Sequence, residues 1–116
     1  VADIHLDNAV LETLRDVMED EYSLLLETFL LDSEERLRLL LETSLSGDAQ
    51  AMRLAAHSFK GSCSNMGALL LASLCKELEE LARRERLEAT AELLEQVQRE
   101  FAIVRILFKA ELQRHR

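Results

Sequence analysis

The sequence contains no proline and no tryptophan, only three glycines (Gly47, Gly61 and Gly67), two cysteines and 4% aromatic residues. A turn-rich β architecture needs glycine and proline at its corners, so their scarcity excludes one and leaves helices. Cys63 and Cys75 have no partner Cys or His at metal-ligand spacing and form no CxxC, which excludes a zinc site and a redox motif and leaves small buried residues. No apolar run approaches the ~20 residues that cross a bilayer. Nor does the amino terminus carry a basic segment followed by an apolar core. The chain reads as soluble and cytoplasmic, with no membrane partner.

Positive charge is also scarce. The chain has 14 Lys and Arg against 22 Asp and Glu, a net charge of −8. The imbalance lies in residues 1–48, with 13 acids and 3 bases, whereas residues 49–116 carry 9 acids and 11 bases. An acidic chain is repelled by phosphate backbones, and the basic residues form no dense stripe with interleaved aromatics, so nucleic acid is not an expected partner.

What is present is helical periodicity in a chain that is 48% hydrophobic, enough for one domain over residues 1–116 with its own core. Asp7 is placed to cap a short helix to about Met18, with Val10, Leu14 and Val17 on one side. The acids Glu19, Asp20 and Glu21 fit a break and a new helix start. A long amphipathic helix from Tyr22 to about Leu45 follows, with Leu26, Phe29, Leu30, Ser33, Leu37, Leu40, Leu41 and Ser44 as its stripe. Ser46, Gly47 and Asp48 end it and cap a helix from Ala49 to Met66, which Gly67 closes. Leu70, Leu71, Leu74, Leu78 and Leu81 pattern a helix from Ala68 to Arg84. The last helix, from about Leu87 to Gln113, repeats Leu94, Val97, Phe101, Val104 and Phe108 at bundle spacing. Short connections force antiparallel neighbours, so the expected fold is an all-α, up-down-up-down four-helix bundle with the short first helix across one end.

Familiar enzyme motifs are missing: there is no P-loop, kinase glycine loop, GxSxG or HExxH. A di-iron bundle needs Glu-x-x-His on two helices, but Leu54 precedes His57 at that spacing and the other histidines, His5 and His115, are expected at frayed ends of the chain. The chemistry left is one imidazole in the run His57-Ser58-Phe59-Lys60-Gly61. On a helical wheel His57 shares a face with Arg53, Lys60, Gly61 and Ser64, while Ala55, Phe59, Ser62 and Met66 point the other way. A helix-interior glycine costs roughly 1 kcal/mol relative to alanine. At i+4 from an exposed histidine, Gly61 reads as access for a partner. A free imidazole, titrating near ~6.5, is a competent nucleophile at neutral pH, and Lys60 one turn on can stabilise a phosphoryl group there.

His57-x-x-Lys60-Gly61-Ser62, followed by Gly67-Ala68, resembles the histidine-containing phosphotransfer (HPt) domains of phosphorelays, and among them the small free-standing bacterial members. The resemblance implies that His57 is the phosphoacceptor, Lys60 the phosphate-stabilising lysine and Gly61 the docking glycine. It also implies that the partners are response-regulator receiver domains and a hybrid sensor histidine kinase. Mg²⁺ would be held by the receiver, with no cofactor on this chain and no autokinase activity. A polar residue on the following helix flanks the histidine in relatives, which points to Glu79 and Arg83, and the expected assembly is a monomer. The alternative from another class is a helical scaffold that binds partners without chemistry, with His57 incidental.

Overall fold

The computed structural model describes residues 5–115. Asp7 accepts a hydrogen bond from the Ala9 N–H at 3.0 Å and starts α1 (Asn8–Met18). A single 3-10 turn, Glu19–Glu21, bends the chain into α2 (Tyr22–Ser46). Glu19 takes φ +50 at that bend. α2 ends on Gly47 at φ +73, and the Asp48 carboxylate then accepts from Ala51 N–H to start α3 (Ala49–Asn65). α4 (Leu69–Arg83) and α5 (Ala91–Arg114) complete the chain.

Among the described residues every long element is helical. α3 packs on α2 and α4, and α5 packs on α4 and α2, which closes the antiparallel ring of four expected from the short connections. α1 lies at one end, where Asp7 N–H donates to the Gly67 carbonyl at 2.8 Å. The core between the helices holds Leu26, Phe29 and Leu40 from α2, Phe59 from α3, Leu71 and Leu78 from α4, and Val97, Val104 and Phe108 from α5. At ~1.5 to 3 kcal/mol for each large apolar side chain, this burial is the main force closing the bundle.

Four expectations need correction. Val17 is 72% exposed, because α1 turns Leu11, Leu14 and Met18 inward, at i, i+3 and i+7. The last helix begins at Ala91 rather than Leu87, after a 3-10 turn Leu87–Ala89 and a buried Thr90 whose hydroxyl donates to the Leu87 carbonyl. Ser62 is half-buried rather than in the core, because the buried stripe of α3 is Met52, Ala56, Phe59 and Cys63, about 50° round the wheel from the expected direction. The two terminal histidines are tied down: His5 Nδ1 lies 2.7 Å from the buried Glu100 carboxylate, and His115 Nε2 lies 3.2 Å from buried Glu111.

Candidate functional site

The α3–α4 hairpin builds the site. Gly67 takes φ +77 at its turn, and a Cβ there would come within 3.1 Å of Val10 and of the Asp7 carbonyl oxygen, so this position requires glycine on both conformational and steric grounds. The adjoining Ala68 N–H donates to the Cys63 carbonyl at 2.9 Å and aims α4 back along α3. Small buried residues on both helices, Ala56 and Cys63 on α3 and Ala72, Cys75 and Ala82 on α4, let the two approach closely. The Cys63 and Cys75 thiols meet inside; the hydrogen bond to Cys75, and then burial, push the Cys63 thiol far up, so it stays protonated and inert.

On the outer side of this hairpin the His57 side chain is 63% exposed. Its Nδ1 lies 2.8 Å from Glu79 Oε2, and the Lys60 ammonium donates to Glu79 Oε1 at 2.7 Å. One carboxylate from α4 therefore joins both polar residues of the α3 face. Burial works against ionisation of Glu79, but the hydrogen bonds and charges of Lys60 and His57 outweigh it and hold the carboxyl below its usual range. An ionised carboxylate can only accept, so the neutral ring must carry its proton on Nδ1. That leaves the Nε2 lone pair free on the exposed side of the ring.

Gly61 has no strained backbone to relieve. A Cβ added there meets nothing within 4 Å, so the glycine is not needed by the chain's own folding. Of the two physical reasons for a glycine at this place, internal closeness is removed and an open face beside His57 is left. Leu54, 54% exposed, adds an apolar surface on the same side.

The sequence model of the family described as Hpt domain matches residues 24–114. This chain belongs to the Hpt domain family. Its structure is similar to the crystal structure of histidine-containing phosphotransfer protein B (HptB) from Pseudomonas aeruginosa PAO1, with 63% sequence identity and a TM-score of 0.96 over 99% of this chain and 100% of that one. It is also similar to the HPT domain of a sensor hybrid histidine kinase from Shewanella, with 19% identity and a TM-score of 0.81 over 97% of each chain, a likeness of fold. No curated protein sequence matches it significantly.

Within this Hpt domain the sequence-derived site residues separate into two groups. His57, Lys60, Gly61 and Glu79 lie together, with Glu79 in direct contact. Arg53 and Ser64 share the His57 face but not its contacts; Arg53 donates to Gln50 at 3.3 Å. Arg83 lines the groove beside Lys60 and Glu79 but is held by Glu80, to which its Nε donates at 3.0 Å. Two features escaped the sequence reading. Arg36 on α2 donates to the Ser58 hydroxyl at 3.0 Å and ties the His57 segment to a second helix. Lys76, three residues before Glu79, faces the same groove. Its spacing to Glu79 is the signal that could have found it.

Proposed function

We propose that this Hpt domain is a phosphorelay intermediate in which His57 Nε2 accepts a phosphoryl group from a receiver-domain aspartyl phosphate and passes it to another receiver aspartate. The observation that carries this reading is the Glu79 carboxylate, which occupies Nδ1 and leaves Nε2 free on an open face. Family membership removes the ground for a chemically inert scaffold.

The reaction follows from that geometry. The Nε2 lone pair attacks phosphorus, the N–P bond forms as the P–O bond to the aspartate breaks, and the electron pair of that bond leaves on the regenerated aspartate carboxylate. The ring keeps its Nδ1 proton and so gains positive charge as the bond forms. Glu79, already at 2.8 Å, offsets that charge without any movement. A carboxylate beside the phosphoryl group would repel it, but Glu79 lies at the opposite ring nitrogen and meets the cationic ring first. Lys60 is the cation beside the phosphoryl oxygens, and Gly61 with the exposed Leu54 forms the surface on which a receiver seats. Transfer onward runs the same steps in reverse.

The receiver supplies the Mg²⁺ of the reaction and this chain binds no cofactor. Among the described residues no three His, Cys, Asp or Glu side chains converge in a way that could hold a metal ion. Among those residues, too, no helix is long and apolar enough to cross a membrane. The working state is a cytoplasmic monomer, fed by a hybrid sensor kinase through its receiver and engaging neither nucleic acid nor membrane. Incubation with a receiver domain phosphorylated on aspartate tests the assignment: the native chain becomes acid-labile labelled, and His57→Gln folds but takes no label. Equal labelling of His57→Gln overturns it.

A further inference from the structure

The resting site holds a conflict that the reaction must resolve. Lys60 is wanted at the phosphoryl group, yet its ammonium is bound to Glu79 Oε1 at 2.7 Å, in a half-buried position with 28% of the side chain exposed. A phosphoryl group brings a charge of about −1.5 to −2, and Lys60 cannot turn fully towards it while Glu79 Oε1 is left without a partner in a carboxylate only 18% exposed. A replacement donor is needed on the groove side of Glu79. Arg83 and Arg84 are both committed to Glu80. Lys76 is not: it lines the groove with Lys60, Ser73 and Glu79, it is exposed, and among the described residues it forms no ion pair. The one carboxylate at i+4 from it, Glu80, is the one taken by the two arginines. On α4 it stands three residues before Glu79, so the two side chains are neighbours with Cβ atoms about 5–6 Å apart.

We infer that Lys76 is a positioning residue for phosphotransfer: it takes Glu79 Oε1 when Lys60 turns to the phosphoryl group, while Glu79 Oε2 stays on the His57 Nδ1 proton. The exchange moves two ammonium groups and no proton. Lys76 does not touch the transferred group; it frees Lys60 to do so. This inference rests on His57 as the phosphoacceptor.

A double-substitution cycle in the full chain tests it. With a phosphorylated receiver as donor, Lys76→Gln should lower the fraction of phosphorylated His57 at equilibrium and shorten the phosphohistidine lifetime by about two- to five-fold, the range of one exposed charge pair. Lys76→Arg should restore both. In the Glu79→Gln background no carboxylate holds Lys60, so Lys76→Gln should change neither quantity. An equal effect of Lys76→Gln in both backgrounds overturns the inference, because a general attraction to the phosphoryl group or a contact with the receiver would give that result. So does no effect in the native background. Failure of His57 itself to be labelled would instead remove the phosphoacceptor reading, and the two failures are distinguishable in the same assay.

Discussion

Gly61→Gln should make the protein more stable and less active at once. The structure sets the first magnitude. A Cβ at position 61 meets nothing within 4 Å, so the gain in helix propensity is not offset by a clash and amounts to about 0.5 to 1 kcal/mol. For a chain of this length that raises the midpoint of thermal unfolding by about 2–5 °C. The second magnitude comes from the geometry of attack. At i+4 the new side chain stands about 5–6 Å from that of His57, Cβ to Cβ. In-line transfer needs the reacting atoms about 3–3.5 Å apart, and a misplacement of about 1 Å costs on the order of 10²-fold in rate. Circular dichroism melting and a phosphoryl-transfer time course from a labelled receiver measure the two effects on the same samples. Gly61→Ala should share the stabilisation and keep most of the transfer, since its single methyl leaves the face nearly flat. A lower melting temperature for Gly61→Gln would show that the glycine serves internal closeness after all, and unchanged transfer would show that receivers do not seat on this face.

Lys60→Ala should slow transfer and shorten the phosphohistidine lifetime while leaving receiver binding nearly unchanged, as read by stopped-flow transfer and a separate titration. Arg83→Ala should leave transfer kinetics within about two-fold of the native protein, because its exposed partner is Glu80 and such pairs contribute little; a loss as large as that of Lys60→Ala would contradict the placement. The stability difference between the native chain and Glu79→Gln should depend on pH with a definite sign. The Glu79 carboxyl lies lower in the folded state than its usual value, so its contribution is present above the unfolded value near ~4.3 and fades as pH falls through the folded one. Melting of both proteins from neutral to acid pH should therefore show a gap that closes only in acid, and a gap that widens there would refute the ion-pair arrangement.

The sequence alone determined the helices and most of the residues that make up the candidate site. Apolar periodicity is a local property, and it placed α2, α3 and α4 to within a residue or two because an apolar repeat marks the extent of a helix whatever covers it. His57, Lys60 and Gly61 lie within two turns of one helix, so their common face followed from 3.6 residues per turn. Gly67 was legible as the turn for a similar reason, and its φ of +77 agrees. What the tertiary structure decided is how α4 sits against α3. The rotation of the buried stripe on α3 depends on which neighbours fill the space around it, so Ser62 moved out of the core and Lys60 sank to half burial. The separation of α3 and α4 depends on small residues meeting across the hairpin. Only that closeness converted Glu79 from a flanking charge into the carboxylate that holds the His57 tautomer. It also left Arg83 to its own helix and brought Lys76 into the groove. Pairing between helices joins residues about 20 positions apart through side chains of adjustable reach, and no periodicity within either helix specifies it.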